Sequence, residues 1–397
     1  MIYILKKYSS YQIAVFLSSL SMLFGILREF IIVSLLGFTL TNDTLQIYLS
    51  VFYTLGLTID AMRLACLNLF LILPLSRILL SASIISLPFS IGIGIIMSIS
   101  VGGLDNQILL ITILGGYLNL IAALLITYKQ RNNVFLPAQI INVLPNFILI
   151  PGVIICYWLA KKDAVLIIVT LTSLIPCFQC ILLLLLPNQS IEKQEEKKIG
   201  LWASLLVFVQ HFSAVVGEQL FQIVIRSAFF NYGEGYLSLF AIAIRIYAGL
   251  RFILIDSYIG SKLAYWEKEL QKSDYYLFKM INSIVLSSIM VFIALFISLK
   301  TSYDLMQIAI QIVILLIFGF YLSTLVRIIY FKINRHKKNS SLIMKFATYE
   351  LIFACFAFIL TKQLNYSLLA ILWVGYIAKP FAQLLFLRKH FVTLTIS

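Results

Sequence analysis

The sequence predicts an all-α polytopic membrane protein that crosses the bilayer about twelve times. Of its 397 residues, 61% are hydrophobic and 12% are charged, whereas soluble domains are roughly 45 to 50% apolar and about 25% charged. The apolar residues are gathered in runs of about 20 residues or more, the length that a helix needs to cross a bilayer. Basic residues concentrate in alternate loops between these runs, as in multi-pass membrane proteins. These observations exclude a water-soluble globular protein.

Apolar runs predict six transmembrane helices in each half of the chain. The first six lie near residues 11–37, 46–73, 78–98, 107–128, 134–158 and 164–186. The second six lie near residues 201–229, 236–261, 280–299, 305–329, 344–361 and 366–387. Because lipid cannot satisfy backbone hydrogen bonds, runs of this length are predicted to be helical.

The distribution of Lys and Arg predicts that both termini are cytoplasmic. Basic residues are enriched in the loops on the cytoplasmic side of a membrane. With the N-terminus inside, 19 basic residues of the loops and termini fall on the cytoplasmic side, against Lys161, Lys162, Lys300 and Lys362 on the outer side. The net charge of +14 is therefore explained by the membrane, and nucleic acid is not an expected partner.

The most polar segment, residues 187–200, divides the chain into two predicted lobes. It carries three acidic and three basic residues and is predicted to be a cytoplasmic linker between six-helix lobes at 1–186 and 201–397. With six helices each, both lobes run in the same direction, as in transporters whose halves are related by an axis along the membrane normal. The loops are too short for an extramembrane catalytic domain, which argues against an enzyme such as a glycan polymerase or ligase.

Ten ionisable residues lie inside the apolar runs. They are Arg28, Glu29, Asp60, Arg63, Glu218, Arg226, Arg245, Arg251, Asp256 and Glu350. Each costs about 2.5 to 3.5 kcal/mol near the centre of a membrane helix, so most are expected to face a wet interior or to form pairs. All five bases are arginines, whose planar guanidinium suits phosphate and keeps its charge in the membrane. The hypothesis is an anionic substrate that carries phosphate.

Some of these charges have a purely structural interpretation. Asp60 and Arg63 share a helix face, so they either neutralise each other or contribute to the interior site. Lys379, in the last apolar run, is expected to extend its ammonium to the cytoplasmic interface.

The interior acids are candidates for coupling transport to an ion gradient. Glu218 and Glu350 are predicted either to hold a sodium ion or proton together, or to separate, with Glu218 paired to Arg226. Asp256 lies on the same helix face as Arg245, three turns away, too far for direct contact. Glu218, Glu350 and Asp256 are the predicted ion-coupling residues, and no metal site is predicted.

Three segments carry a more specific pattern. They are GILREFIIVSLLGFTLTND at 25–43, FLPAQIINVLPN at 135–146 and LSLFAIAIRIYAGL at 237–250. The first has Arg28 and Glu29 within its helix, Gly37 at the helix end and Asp43 at the start of the next helix. The third has Arg245 after a run of small and aromatic residues. These segments resemble the MurJ/MviN family within the MOP (multidrug/oligosaccharidyl-lipid/polysaccharide) exporter superfamily.

The resemblance implies a flippase that works by alternating access. The family moves undecaprenyl-diphosphate-linked saccharides to the outer leaflet, and its arginines line a central cationic cavity between two lobes. For this chain the implied substrate-binding residues are Arg28, Glu29, Asp43, Arg63, Arg245 and Arg251. The implied location is the bacterial inner (cytoplasmic) membrane.

No cofactor is expected, and sodium ions, protons or the membrane potential would drive transport. The expected partners are the polyprenyl-diphosphate-linked glycan, the lipid bilayer, and a glycan polymerase or other envelope-assembly proteins.

Departures from the family leave the substrate open. The paired arginines of the family's second helix are replaced here by the uncharged TLGL around Gly56, for which Arg63 is the candidate substitute. Family members that flip lipid II usually have more helices than are predicted here, which favours a shorter, Wzx-type flippase for O-antigen, capsule or exopolysaccharide repeat units. The alternative is a MATE-like, ion-coupled exporter of cationic drugs, because interior acids and arginines are equal in number.

Overall fold

The computed structural model describes residues 10–53, 74–131, 135–159, 163–187, 201–251, 311–326, 340–362 and 368–395, and every regular element within these ranges is helical. The N-terminal half contains α1 (Ser10–Leu36), the described part of α2 (40–53), α3 (Leu75–Val101), α4 (Asn106–Arg131), α5 (Phe135–Leu159) and α6 (Ala164–Leu185). The C-terminal half contains α7 (Leu201–Tyr232), α8 (Tyr236–Arg251), the described part of α9 (311–326) and α10 (Ser340–Lys362). The last helix, α11, consists of Leu368–Trp373, a π-helical turn at Val374–Ala378, and Lys379–Thr395.

Five of the described helices are long and apolar enough to cross a membrane. The candidate spans are Ser19–Leu36, Leu75–Val101, Asn106–Lys129, Ala164–Leu185 and Ala370–Leu387. The prediction of an all-α, multi-pass membrane protein is confirmed. The predicted linker at 187–200 lies outside the described residues from 188 onward, so the lobe boundaries stay a prediction.

Close packing within each half depends on glycine. A Cβ added to Gly115 of α4 would lie 2.7 Å from the Cα of Ser173 in α6. A Cβ added to Gly217 of α7 would lie 2.7 Å from the carbonyl carbon of Glu350 in α10. Small residues let helix backbones approach closely, and the resulting van der Waals contact stabilises helix pairs in lipid, where the hydrophobic effect does not.

Several helices connect the two halves in the described part of the chain. Helix α1 packs against α8, and α3 packs against α7. A single apolar cluster includes Ile32 of α1, Tyr48 of α2, Phe229 of α7 and Phe240 of α8, all nearly inaccessible to solvent. The rings of Phe229 and Phe240 stack with their centroids 4.5 Å apart. This shared core brings the charged residues of α1, α7 and α8 together.

The α1–α2 and α7–α8 connections meet at one end of the helix bundle, which we call the joined end. Gly37 and Gly235 have φ angles of 71° and 84°, in the region that favours glycine. A Cβ added to Gly235 would lie 2.8 Å from the Cβ of Phe38. The backbone N–H of Leu40 also donates to Oε1 of Glu234 at 2.9 Å. The joined end therefore needs a glycine at 235 and is fixed by a hydrogen bond between the halves.

Candidate functional site

Two arginines from different halves share one carboxylate oxygen. Arg28 and Glu29 are adjacent in α1, and Arg245 approaches them from α8. Arg28 Nη2 lies 2.6 Å from Glu29 Oε1, and Arg245 Nη2 lies 2.9 Å from the same oxygen. Arg28 and Glu29 are buried, whereas the Arg245 side chain is 26% exposed. The structure thus brings together three of the predicted substrate-binding residues.

Helix α2 surrounds this group with neutral side chains. The centroid of the Tyr53 ring lies 4.4 Å from Arg245 Cζ and 5.7 Å from Arg28 Cζ. Gln46 donates from Nε2 to Glu29 Oε2 at 3.2 Å. Cation–π contacts contribute about 0.5 to 2 kcal/mol, more where water is excluded. Tyr53 and Gln46 hold the charged groups in place without adding negative charge.

A third arginine, Arg226, approaches from α7. It is buried, donates from Nη1 to the hydroxyl of Ser50 in α2, and lies within electrostatic range of Glu29 and Arg245. Within the described part of the chain it forms no ion pair. Its Nε and that of Arg28 are buried with no hydrogen-bond partner among these residues. We call Arg28, Glu29, Arg226 and Arg245 the arginine cluster: Glu29 forms ion pairs with Arg28 and Arg245, and Arg226 lies within electrostatic range of the same carboxylate.

The sequence alone did not select Arg226 for this site. From the sequence, Arg226 was predicted only as one of the interior charges, with Glu218 as its candidate ion-pair partner. The deciding observation is the position of Ser50, which approaches Arg226 from the other half of the chain. The sequence does not reveal which helix of one half faces α7.

The remaining predicted site residues are not tested by the structure. Arg63 and Asp256 lie outside the described residues. Arg251 is the last residue of α8, and Glu218 lies within α7. Their suggested roles stay predictions.

Asp43 lies at the joined end and caps α8. Its Oδ2 accepts the backbone N–H of Gly235 at 2.7 Å, and its Oδ1 accepts the N–H and the hydroxyl of Ser238 at 2.8 Å and 2.5 Å. A carboxylate in this position satisfies the free N–H groups at a helix start and interacts favourably with the helix dipole. Asp43 therefore links the N-terminal half to the first turn of α8.

A second buried polar group lies within the C-terminal half. Glu350 Oε2 lies 2.7 Å from Lys379 Nζ, and Glu350 Oε1 accepts Gln383 Nε2 at 2.5 Å. We call these three residues the Glu350 site. The expectation that Lys379 extends to the interface is wrong, because its ammonium is buried against Glu350. No group of three His, Cys, Asp or Glu suited to a metal ion occurs in the described ranges.

Aromatic residues connect the Glu350 site to the arginine cluster along α7. Lys379 Nζ lies 5.3 Å from the centroid of the Phe221 ring. Phe221 packs edge-on against Tyr376, whose hydroxyl accepts Gln222 Nε2 at 3.2 Å. Tyr376 also lies within electrostatic range of Arg226. Packed aromatic side chains therefore extend from the Glu350 site toward the arginine cluster.

Comparison with solved structures identifies the fold. A multidrug-resistance MATE transporter of the MOP superfamily, in its outward-facing conformation, matches with a TM-score of 0.61 at 13% identity, over 98% of both chains. The lipid II flippase MurJ, in an inward closed conformation, matches with a TM-score of 0.60 at 16% identity, over 95% of this chain and 86% of that one. The chain has the fold of the MOP-superfamily transporters. The eukaryotic MATE transporter AtDTX14 is also similar, with a TM-score of 0.56 at 13% identity over 96% of this chain and 94% of its own.

No protein-family model matches the sequence, and no curated protein matches it. The structural matches confirm the predicted fold. They include both drug transporters and a lipid flippase, so the choice of substrate depends on the chemistry of the site.

Proposed function

We propose that this protein is a flippase that moves an undecaprenyl-diphosphate-linked saccharide to the outer leaflet by alternating access. The saccharide is an O-antigen, capsule or exopolysaccharide repeat unit, or that of lipid II, and the membrane is the bacterial inner membrane with both termini cytoplasmic. The observation that carries the proposal is the charge of the arginine cluster, in which two guanidiniums are ion-paired to Glu29 and a third, Arg226, lies nearby without an ion pair among the described residues.

A diphosphate carries the negative charge and the hydrogen-bond acceptors that would complement the arginine cluster. Phosphate oxygens accept paired N–H donors from guanidinium, and such charge-assisted hydrogen bonds are about twice as strong as neutral ones. Among the described residues, the buried Nε donors of Arg28 and Arg226 have no acceptor, and an unsatisfied buried donor costs about 1 to 3 kcal/mol. A diphosphate that reached them would supply both the missing acceptors and the missing negative charge.

Glu29 positions the arginines when the substrate is absent. One of its oxygens contacts both Arg28 and Arg245, which come from opposite halves. A buried positive charge without a counter-ion is strongly unfavourable, so Glu29 lowers the cost of the empty site. Because it balances only one of three positive charges, attraction for an anion remains.

The joined end fits the outer gate of an alternating-access cycle. In the predicted topology the α1–α2 and α7–α8 connections are external, so Asp43 and Glu234 close the outer side. Opening to the outside would break these hydrogen bonds and separate Arg245 from Glu29. Outward movement of a negative head group is aided by an inside-negative potential, by about 2.3 kcal/mol per charge per 100 mV.

Transport into proteoliposomes tests the proposal. The probe is a polyprenyl-diphosphate-linked oligosaccharide, whose arrival in the far leaflet is detected with a membrane-impermeant lectin. We expect transport by the wild type and strong impairment of Arg28→Gln, Arg226→Gln and Arg245→Gln. The matched control is Arg77→Gln, which removes an arginine in the first turn of α3. Full transport by all three cluster variants would refute the proposal.

The second candidate is ion-coupled export of cationic drugs, favoured by the match to a MATE transporter over 98% of both chains. The net positive arginine cluster argues against a cationic substrate, because like charges repel in a medium of low dielectric constant. Cation export would appear as drug resistance conferred on a sensitive host. That resistance, together with no flipping of lipid-linked glycan, would establish the second candidate.

A further inference from the structure

We propose that the Glu350 carboxylate forms a monovalent-cation site that the chain fills with its own Lys379 ammonium, so that no free sodium ion binds at this site. This goes beyond the proposed function and does not depend on which substrate is carried. It concerns the occupant of a site within the C-terminal half.

The Glu350 site has the composition of a cation site. Glu350 is 5% exposed, and both its oxygens are engaged, one by Lys379 Nζ at 2.7 Å and the other by Gln383 Nε2 at 2.5 Å. On another side the ammonium faces the Phe221 ring at 5.3 Å. A carboxylate together with the face of an aromatic ring is an arrangement that attracts cations.

The surrounding backbone is shaped around this contact. Gly217 of α7 is so close to Glu350 that an added Cβ would lie 2.7 Å from the nitrogen of Leu351. The π-helical turn at Val374–Ala378 ends immediately before Lys379, and such turns insert an extra residue that changes the direction of the following side chains. The π-helical turn thus directs the Lys379 ammonium toward the Glu350 carboxylate, next to which the backbone of α7 packs closely.

A buried carboxylate at this depth requires a positive charge. Removing one member of a buried ion pair leaves the other charge uncompensated, which is strongly destabilising in protein interiors and in membranes. In the wild type, Lys379 supplies that charge through a covalent tether. A free sodium ion would have to displace the Lys379 ammonium, which is covalently attached and cannot diffuse away. We therefore expect sodium not to bind at Glu350 in the wild type.

The inference changes how Glu350 would take part in transport. The sequence suggested that Glu350 and Glu218 hold a sodium ion or proton; with Lys379 in place, the positive charge is permanent.

Sodium binding by the purified full-length protein tests the inference. Radioactive sodium binding and thermal unfolding are measured in sodium chloride and in choline chloride of equal ionic strength. We expect no saturable binding and no sodium-dependent rise in melting temperature for the wild type. Lys379→Ala should gain stoichiometric sodium binding and should be stabilised by sodium but not by choline.

Three variants serve as controls. Lys129→Ala also removes a buried lysine, but one that donates to the carbonyl of Leu186 at 2.5 Å, so it should gain no sodium binding. Lys379→Arg keeps the tethered cation and should behave as the wild type. Glu350→Gln combined with Lys379→Met removes both charges and should bind no sodium.

Saturable sodium binding by the wild type overturns the inference, and this result requires no variant to fold. A folded Lys379→Ala protein without sodium binding also overturns it. Should Lys379→Ala not survive purification, Lys379→Ser takes its place, since its hydroxyl adds an oxygen ligand for sodium. These measurements involve no glycan, so sodium binding by the wild type would overturn this inference without affecting the proposed flippase function. Equally, absence of glycan flipping would not affect this inference.

Discussion

The arginine cluster and the Glu350 site are two buried charged groups with opposite balance. In the cluster, Glu29 is ion-paired to Arg28 and Arg245 from opposite halves, Arg226 lies nearby, and two N–H donors lack partners among the described residues. In the Glu350 site, one ammonium meets one carboxylate within a single half. The difference teaches that burial of charge alone does not mark a substrate site. The unbalanced group is the one that calls for a ligand from outside the chain.

The largest expected effect is on stability, at the balanced group. Glu350→Gln leaves the Lys379 ammonium buried without its carboxylate, so we expect a loss of about 3 to 5 kcal/mol in the free energy of unfolding. Adding Lys379→Met should restore most of it. Thermal unfolding in detergent measures both. If Glu350→Gln alone were as stable as the wild type, the Glu350–Lys379 ion pair would not be buried as the structure shows.

The second effect separates function from stability at the unbalanced group. Arg226→Gln should reduce flipping of the lipid-linked glycan by about 10- to 100-fold, the loss of one hydrogen bond to a charged group. Its stability should stay equal or increase, because the variant removes a buried positive charge that has no ion-pair partner among the described residues. Flipping assays and unfolding are measured on the same preparation. Reduced stability with normal flipping would reverse the roles assigned to the two groups.

The third effect concerns the joined end, where the halves separate if alternating access operates. Asp43→Ala removes the cap of α8, a contribution of about 1 kcal/mol, so outward-open molecules should increase by about fivefold. Distances between spin labels on the α1–α2 and α7–α8 connections report this shift. The control is Thr44→Ala, since the Thr44 hydroxyl donates to the carbonyl of Leu40 within α2 and makes no other hydrogen bond in the described part of the chain. Equal distance distributions for Asp43→Ala and the wild type would argue against a gate at this end.

The smallest effect tests whether Tyr53 positions the arginines through its ring. Tyr53→Phe keeps the ring that lies against Arg28 and Arg245 and should lower substrate affinity little. Tyr53→Leu removes it, and a loss of about fivefold is expected from a cation–π contribution of about 1 kcal/mol. Affinity for a polyprenyl diphosphate distinguishes the two. Equal loss in both variants would assign the effect to the hydroxyl.

Within the described ranges the sequence predicted the helices well, because apolar runs and their lengths are local properties; the predicted helix at 280–299 lies outside these ranges. The run at 201–229 corresponds to α7 (Leu201–Tyr232), and that at 164–186 to α6 (Ala164–Leu185). It also placed Arg28, Glu29 and Arg245 among the interior charges and in one predicted site.

The pairing of side chains between helices could not be predicted. Lys379 was expected at the interface, yet the π-helical turn before it and the close approach of α7 to α10 bring it to Glu350. Arg226 depends on Ser50 of the opposite half. Both outcomes depend on which helices are neighbours and at what depth, which a single sequence does not specify.

Binding of a short-chain polyprenyl diphosphate to the purified protein tests the central claim most directly. We predict saturable binding that inorganic pyrophosphate displaces, that is weakened in Arg28→Gln, Arg226→Gln and Arg245→Gln, and that is unchanged in Arg77→Gln. The matching polyprenol without phosphates should bind weakly. Equal affinity for the polyprenol and the diphosphate, or unchanged affinity in all three cluster variants, would contradict the account.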